Sequence, residues 1–524
     1  MPASTRAIVP QWAAIVLAVA AGPVLDAGFA DRGIWPLTVL GIAVILVSLI
    51  GRTVFGALIV GFVAGCSFYL THISWVSLFL GALPMWALTV LESLFFAVGA
   101  LAITLAYRWI PRAWPGTAGR LLLLPAVVAG LWTAREAWAS VWPYGGFAWG
   151  RVGISQVDGP LRQLFSWIGI SGVSFVTVLL VAIGIECVRA RIAPHAGFDS
   201  PAVRGAPIPD GLQRAALVAL VASLVLLIPA WPVPIDGVMR VAVVQGNGKA
   251  GYFDTRNEGD LLRAQVDATA PLFGQTVDVV LWPEGSTDRS PLTDPYTATV
   301  FDSVSRQLHA PLVGWAITER LGQTYNTELL WKPDEGVVDY YDKKHPVPFG
   351  EYVPDRSFWE PFAPDLIGLI GREYTPGSTD MVFDVNGTTV GVNICFDIVD
   401  DQLLRESAQE GARVIFASSN NADFGRTDES AQQLAIARIR AMELGRSVVN
   451  VSTVGLTAVI ASNGFVTRQL PWFEAGSLVE DVPLSSVVTP YTVLGRQFEW
   501  LVSGLALAAL AIAALTLPPR RKDA

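Results

Sequence analysis

Three reactive types of side chain follow strand-like runs in the C-terminal half of the sequence. Glu284 follows "TVDVVLWP", Lys343 follows "GVVDYYD" and Cys395 follows "TTVGVNI". A thiol, whose free pKa is about 8.5, must lose its proton to attack an acyl carbonyl, and a nearby carboxylate can accept that proton. A fixed ammonium and the backbone N–H just after the nucleophile can then stabilise the oxyanion. Together, the three types would suit acyl transfer through a thioester.

Cys395 taken alone is compatible with two roles, a buried packing residue or a nucleophile. It ends an apolar, β-branched run, and free cysteine commonly packs in cores as a small hydrophobe. The other cysteines, Cys66 and Cys187, lie in long apolar segments, so a disulfide framework around Cys395 is excluded. The chain has only five lysines, and two of them, Lys343 and Lys344, are adjacent. This favours a functional lysine at that position, with a solvated turn as the alternative.

Short apolar runs alternate with amphipathic patterns around these residues. The strand-like runs are "MRVAVVQGN", "TVDVVLWPEGS", "APLVGWAITER", "TTVGVNICFD" and "ARVIFASSNN". Helical patterns include "DLLRAQVDATAPLF" and "ESAQQLAIARIRAMELGRS". This alternation predicts an α/β domain, in which functional groups gather at the carboxyl ends of strands. We therefore expect the three reactive side chains at one edge of the sheet.

Other chemistries have little support in the sequence. "GNGKAG" at 246–251 satisfies G-x-G-x-x-G, but a polar stretch follows it instead of an apolar helix start, which favours a turn over a nucleotide site. No H-E-x-x-H, C-x-x-C or G-x-S-x-G pattern occurs, and the four histidines are scattered: His72, His195, His309 and His345. The net charge of −9 gives no support to nucleic-acid binding. We expect no metal, no cofactor and no nucleic acid.

The composition indicates a membrane protein, with 52% hydrophobic and 15% charged residues. Eight apolar runs are each about long enough to cross a ~30 Å hydrocarbon core, near residues 11–29, 34–50, 54–72, 80–107, 120–141, 162–188, 213–232 and 498–517. The predicted organisation is a seven-helix transmembrane domain over 1–236, a catalytic domain over 237–492, and a final helix with a basic tail over 493–524.

The distribution of basic residues predicts the orientation. With the N-terminus inside, the cytoplasmic segments hold Arg6, Arg52, Arg108, Arg112, Arg120, Arg189, Arg191, Arg204, Arg214, Arg520, Arg521 and Lys522. The opposite short loops hold Arg32, Arg151 and Arg162. This positive-inside bias places the catalytic domain outside the cytoplasm.

Four ionisable residues fall within the predicted spans: Glu92, Arg135, Glu136 and Glu186. Charges are costly in lipid, so we expect these side chains to face the bundle interior or an interface. Arg135 and Glu136 would either contact phospholipid headgroups or form a structural ion pair, and the ion pair is favoured.

Several motifs resemble a known family. "LWPEGS", "YDKKHPVPFGEYVP" and "GVNICFD" are similar to the Glu, Lys and Cys motifs of the carbon-nitrogen hydrolase (nitrilase) superfamily. "GFVAGCSFYLTHISWV", "GGFAWGRVGISQVDGP", "VAVVQGN" and "YNTELL" extend the likeness along almost the whole chain. In this order the segments resemble the membrane branch of the superfamily, the apolipoprotein N-acyltransferases.

The resemblance implies an αββα sandwich on a multi-pass helical membrane domain, in a bacterial cytoplasmic membrane. Glu284 would be the general base, Lys343 the oxyanion-stabilising lysine and Cys395 the acylated nucleophile, with Glu351 supporting the lysine and substrate. Lys343 fits better than Lys344 because of its spacing to Glu351. The reaction implied is acyl transfer from a phospholipid, through the cysteine, to the α-amine of a diacylated lipoprotein, by a monomer.

Four positions depart from the family pattern and would affect substrate-contacting surfaces: Phe396, Asp397, Phe253 and Asp423. The apolar segment 357–371, "SFWEPFAPDLIGLIG", is either a lid or interfacial wedge, or plain packing. Two other functions remain as alternatives at this stage. One is a membrane-tethered amidase or nitrilase acting on a small exported substrate, and the other is an inactive membrane scaffold.

Overall fold

The chain forms two compact units, which are described separately. The computed structural model describes residues 7–192 and 211–516. One unit, the helical unit, comprises Met1–Ser77, Gly81–Ala230 and Arg496–Ala524. The other, the α/β domain, comprises Leu78–Leu80 and Trp231–Gly495. Of the residues singled out in the sequence, Arg6, His195, Arg204, Arg520, Arg521 and Lys522 lie outside the described residues.

All eight predicted apolar runs contain a helix. Within the described residues, five helical stretches are long and apolar enough to cross a membrane: Val54–His72, Ala82–Ala113, Gly119–Ala139, Arg162–Ala190 and Gln497–Thr516. The other three runs form helices of 16, 15 and 16 residues, Gln11–Asp26, Trp35–Leu49 and Gly211–Leu226. The second is short because Pro36 stands in its first turn and Gly51, with φ of 76°, follows its end.

The four ionisable residues of the predicted spans are buried, and Arg135, Glu136 and Glu186 form ion pairs. Arg135 Nη2 lies 3.3 Å from Glu136 Oε1, which also accepts hydrogen bonds from Trp132 Nε1 (2.8 Å) and the Val152 N–H (3.1 Å). The Arg135 guanidinium lies 3.9 Å from the centre of the Phe96 ring. This geometry favours the structural ion pair over a headgroup contact. In the same unit, Glu186 pairs with both Arg120 and Arg189.

Twelve strands build the α/β domain. They are β1 (Gly237–Gln245), β2 (Val279–Leu281), β3 (Leu312–Arg320), β4 (Gln323–Lys332), β5 (Gly336–Asp342), β6 (Val382–Val385), β7 (Thr388–Ile394), β8 (Val414–Ser419), β9 (Ser447–Ser452), β10 (Ala458–Ile460), β11 (Val466–Gln469) and β12 (Gly476–Leu484). The first sheet has the order β12-β1-β2-β3-β4-β5, and the second has the order β11-β10-β9-β8-β7-β6.

Each sheet has a parallel centre and antiparallel edges. β1, β2 and β3 are parallel in the first sheet, as are β7, β8 and β9 in the second. Parallel strands covered on both faces read as continuous apolar runs, which explains why these strands stood out in the sequence.

Helices cover the sheets. Asp260–Thr269 and Pro295–Leu308 pack on the first sheet, and Asp401–Gln409 and Asp428–Leu444 pack on the second. β1 and β12 of the first sheet contact β9 of the second. The predicted αββα sandwich is confirmed.

Candidate active site

The three predicted reactive residues follow strands of two different sheets. Glu284 comes three residues after β2 and Lys343 directly after β5, both in the first sheet. Cys395 comes directly after β7, in the second sheet. The expectation of one shared sheet edge was therefore wrong. The sequence does not reveal how strands are divided between two sheets, and the sandwich brings the residues together from opposite layers.

Cys395 occupies a strained turn. Its φ of 52° lies in the left-handed region, and a 3-10 helix, Cys395–Val399, starts at this residue. Non-glycine residues adopt this conformation only where the surroundings enforce it. The chain thus changes direction sharply at the thiol, which is partly exposed and not sealed in the core.

Asp397 holds this turn in place. Its Oδ2 accepts hydrogen bonds from Tyr341 Oη (2.8 Å) and the Ile394 N–H (3.2 Å), and its Oδ1 accepts one from the His345 N–H (3.2 Å). We expected Asp397 on a substrate-contacting surface, but its side chain is fully buried, with 0% exposure. The carboxylate is turned inward because three donors converge on it: Tyr341 on β5, His345 just after β5, and Ile394 at the end of β7.

Lys343 is sealed inside the domain. Its side chain is 1% exposed, and Nζ lies 2.7 Å from Glu351 Oε2. That oxygen also accepts the Val347 N–H at 2.6 Å, while Glu351 Oε1 accepts from Asn326 Nδ2 at 2.8 Å. The adjacent Lys344 is only partly buried. The geometry therefore links Glu351 to Lys343, at the spacing that the motif predicts.

Glu284 is buried beside these groups. Asn326 Nδ2 donates to its Oε1 at 2.8 Å, and the Asn420 N–H donates to its Oε2 at 2.9 Å. Its carboxyl lies close enough to the Cys395 thiol for each group to shift the pKa of the other. One amide group, that of Asn326, thus bridges Glu284 and Glu351 and fixes the two carboxyl groups relative to each other.

Burial governs the protonation of the site. Burial, and then the neighbouring Glu284, raise the pKa of the Cys395 thiol well above its usual value, so the resting group is a thiol. Burial also raises the pKa of Glu284, while Lys343 acts in the opposite direction. For Lys343, burial would lower the pKa, but Glu351, Cys395 and Glu284 outweigh it and the net shift is upward. The lysine is therefore a permanent ammonium.

Sequence reasoning missed several polar side chains of the site. Asn326 lies in the motif "YNTELL", where it was noted only as part of the likeness. Asn420, whose backbone N–H contacts Glu284, stands just after β8. Gln433, on the helix Asp428–Leu444, places Nε2 4.0 Å from Cys395 Sγ. Asn420 could have been predicted from its position at the end of a strand, whereas Gln433 reaches the site only through tertiary packing.

The remaining predicted positions lie nearer the surface. Phe396 is partly buried, and Phe253 is 51% exposed and packs against Tyr252 and Phe79. Asp423 Oδ1 accepts the Tyr252 N–H at 2.8 Å, so this acid fixes the loop that carries Phe253.

Segment 357–371 combines the two predicted behaviours. Ile367 and Ile370 are buried and pack with Val353, while Phe358 and Phe362 are 57% and 73% exposed. One face of the segment therefore packs on the domain and the other presents aromatic rings. Among the described residues, no group of His, Cys, Asp and Glu is arranged to hold a metal ion.

Comparison with known proteins places the chain in a family. The profile of the apolipoprotein N-acyltransferase N-terminal domain matches residues 21–183, and that of carbon-nitrogen hydrolase matches residues 240–489. An apolipoprotein N-acyltransferase of Mycolicibacterium smegmatis is 30% identical, over 97% of this chain and 86% of the relative.

Two further relatives carry the same name. The apolipoprotein N-acyltransferase of Azotobacter vinelandii is 29% identical, over 97% of this chain and 96% of the relative. That of Photobacterium profundum is 27% identical, over 92% of this chain and 91% of the relative. The likeness thus spans the helical unit as well as the α/β domain, and the chain belongs to the apolipoprotein N-acyltransferase family.

Proposed function

We propose that this protein transfers a fatty acyl chain from a membrane phospholipid to the N-terminal amine of a diacylglyceryl-cysteine apolipoprotein. Cys395 would carry the chain as a thioester between the two substrates, in a ping-pong reaction. One observation carries the proposal: the Cys395 thiol, the buried Glu284 carboxyl and the buried Lys343 ammonium lie close enough together to shift one another's pKa. That arrangement suits acyl transfer, and it stands in a chain of the apolipoprotein N-acyltransferase family.

The first stage would acylate the cysteine. The thiol proton moves to Glu284 as the sulfur attacks the ester carbonyl of the phospholipid, forming an S–C bond. The Lys343 ammonium and the N–H of Phe396 stabilise the tetrahedral oxyanion. The acyl C–O bond then breaks, the proton on Glu284 passes to the departing oxygen, and a lysophospholipid leaves.

The second stage would return the thiol. The free α-amine of the lipoprotein attacks the thioester, the N–C bond forms and the S–C bond breaks, while Glu284 takes the amine proton and passes it to the sulfur. A thioester suits this step because it is activated toward amines, and a shielded site limits its loss to water.

Glu351 and Asp397 would act as positioning residues. Glu351 holds Lys343 by an ion pair and shares Asn326 with Glu284, so the ammonium and the base keep a fixed separation. Asp397 anchors the turn that presents Cys395. Phe396, next to the nucleophile, is proposed to contact the lipid substrates together with Phe253.

The setting would be the bacterial cytoplasmic membrane. Both lipid substrates are anchored in a bilayer, which accounts for a carbon-nitrogen hydrolase domain in one chain with five helices that are long and apolar enough to span it. We propose seven spans within 1–236, a catalytic domain over 237–492 on the extracytoplasmic side, and a last span with its tail over 493–524. The protein would act as a monomer, without cofactor.

The aromatic face of segment 357–371 would contact lipid. Phe358, Phe362 and Leu369 are half to three-quarters exposed, while Ile367 and Ile370 of the same segment are buried. Exposed aromatic and aliphatic side chains of this kind suit insertion at a membrane interface. The amidase and scaffold alternatives receive no comparable support, since the relatives that match over 86% and 96% of their length are named apolipoprotein N-acyltransferases.

A mass measurement on the purified protein tests the proposal. Wild-type protein incubated with phospholipid should gain the mass of one fatty acyl group on Cys395, and Cys395→Ser should form no thioester. Addition of a synthetic diacylated lipopeptide should discharge the wild-type adduct and acylate the peptide N-terminus. The proposal fails if no adduct forms with phospholipid while a soluble amide is hydrolysed.

A further inference from the structure

A buried amide network lies on the sulfur side of the site. Glu429 and Gln433 stand four residues apart on the helix Asp428–Leu444 and therefore share one face. Both are buried, at 2% and 3% exposure. Asn421, which is 1% exposed, lies against this face and contacts both side chains. No role in the acyl-transfer scheme above uses these three residues.

The network fixes which end of the Gln433 amide faces the cysteine. Asn421 Oδ1 accepts hydrogen bonds from the hydroxyls of Ser452 (2.6 Å) and Ser419 (3.2 Å), so Asn421 Nδ2 must point the other way. That amide nitrogen donates to Glu429 Oε2 at 2.8 Å and to Gln433 Oε1 at 2.9 Å.

The remaining end of the Gln433 amide is a donor. Because Oε1 is held by Asn421, Nε2 is directed toward Cys395 Sγ, 4.0 Å away. This distance suits a weak N–H···S contact with a neutral thiol. Hydrogen bonds to charged acceptors are shorter and roughly twice as strong, so the contact gains when the sulfur is anionic.

We propose that Gln433 is a catalytic residue that stabilises the Cys395 thiolate, and that Asn421 is a positioning residue that orients its amide. This inference rests on the proposed function. The sulfur carries negative charge as its proton leaves for Glu284 in the first stage, and again when the S–C bond of the thioester breaks in the second. One donor at the sulfur serves both stages, separately from the donors that stabilise the oxyanion.

The protonation of the neighbouring acid fits this role. Burial raises the pKa of Glu429 to about 8. At neutral pH its carboxyl group is therefore held largely uncharged near the sulfur, where a carboxylate would oppose thiolate formation.

The test measures the acidity of the thiol without any lipid substrate. The rate of Cys395 alkylation by iodoacetamide is followed from pH 6 to pH 11 by peptide mass spectrometry, which separates Cys395 from Cys66 and Cys187. Gln433→Met fills similar space without an N–H donor. We expect the apparent pKa of Cys395 to rise by about one unit, which is about a tenfold loss of thiolate at any pH below it. Thioester formation with phospholipid should slow by a similar factor.

Two further variants separate this role from a structural one. Gln433→Glu keeps the acceptor for Asn421 but replaces the donor with a carboxyl oxygen, and should raise the apparent thiol pKa at least as far. Asn421→Asp removes the Nδ2 donor that orients Gln433, and should give a smaller rise. Each of these three variants that folds, as judged by its thermal unfolding midpoint, tests the role of Gln433 through the apparent pKa of Cys395.

The outcomes distinguish this inference from the proposed function. If folded Gln433→Met and Gln433→Glu titrate like the wild type, Gln433 does not act on the sulfur, whatever the wild type does with phospholipid. If these variants raise the apparent pKa but the wild type forms no thioester with phospholipid, Gln433 is confirmed as a thiolate donor and the proposed function is wrong.

Discussion

The α/β domain contains two buried groups of charged side chains, and they differ in how their charges are matched. In the first, Arg440 donates to the carbonyls of Ile398 (2.9 Å) and Val399 (2.7 Å), to Asp401 Oδ1 (2.7 Å) and to Glu443 Oε2 (2.6 Å). This guanidinium is 1% exposed, and every one of its nitrogens has an acceptor. The Arg440 cluster fastens the turn that follows Cys395 to the helix Asp428–Leu444.

The second group is the proposed active site, where acids outnumber bases. Lys343 faces Glu351 directly and has Glu284 and Cys395 as neighbours. Burial raises the pKa of both Glu284 and Cys395, so a proton can reside on either. Matched charges, as around Arg440, hold two segments together. An excess of acids around one cation, as around Lys343, instead allows a proton to move between the acidic groups. The predictions below test this difference, from the largest expected effect to the smallest.

Loss of the single cation of the active site should have the largest effect. Lys343→Ala removes the proposed oxyanion donor and leaves Glu351 without its ion-pair partner, so the rate of thioester formation should fall by roughly 100- to 1,000-fold or more. Intact-mass kinetics with phospholipid measure this rate.

Lys344→Ala is the matched control, because the neighbouring lysine is partly buried and has the same chemistry. It should acylate within a few-fold of the wild type. If Lys344→Ala were inactive and Lys343→Ala active, the assignment of the catalytic lysine would be reversed.

Loss of Arg440, the cation of the first group, should lower the stability of the fold and not the acidity of the thiol. Arg440→Met leaves Glu443 and Asp401 without their common partner, and breaking a buried ion pair from one side costs about 3–5 kcal/mol. Thermal unfolding in detergent should show a marked fall in Tm. The thiol of the remaining folded protein should still titrate like that of the wild type.

Arg438→Met serves as the comparison, since Arg438 lies on the same helix, is less buried and donates to the Gly464 carbonyl. Its effect on Tm should be clearly smaller. An Arg440→Met protein that unfolds like the wild type would show that the Arg440 cluster contributes little to stability.

The sequence signals that single out the proposed reactive residues are local. An apolar run that stops at Cys395 or Lys343 is visible without the fold, and the motif spacing separates Lys343 from Lys344. The sequence also predicted the αββα sandwich, through the resemblance.

The features of the fold and the site that the sequence did not predict depend on contacts between distant segments of the chain. The division of strands between two sheets decides that Lys343 and Cys395 approach from opposite layers, and no local pattern records that division. The burial of Asp397 was missed for the same reason, because its donors Tyr341, on β5, and His345, just after β5, lie more than 50 residues away in the sequence. Gln433 enters the site only through a helix that packs behind it.

Another buried acid, Glu328, extends the comparison. It lies on β4, two residues from Asn326 and hence on the same face of the strand. Its side chain is 1% exposed, and within the described parts of the chain neither carboxyl oxygen accepts a hydrogen bond. The Ser418 side chain of the opposite sheet lies beside it.

Glu328 should make the stability of the protein depend on pH. Burial raises the pKa of Glu328 from 4.5 to about 8, so the folded protein keeps this proton over a range in which the unfolded chain loses it. The stability that comes from this proton is fully present below pH 4.5 and is lost as the pH rises through about 8. Glu328→Gln removes that dependence. Relative to the wild type, it should gain roughly 1–3 kcal/mol of unfolding free energy between pH 6 and pH 8.

The measurement compares the Tm of the two proteins at pH 6 and at pH 8 in one detergent. Glu319→Gln is the control, because Glu319 is an exposed acid on the neighbouring strand β3 and its carboxylate is solvated in both states. Glu319→Gln should give no gain that grows with pH. If Glu328→Gln likewise gave the same Tm difference from the wild type at both pH values, Glu328 would ionise alike in the folded and unfolded protein. Burial of Glu328 beside the active site would then not lower the free energy of unfolding as the pH rises.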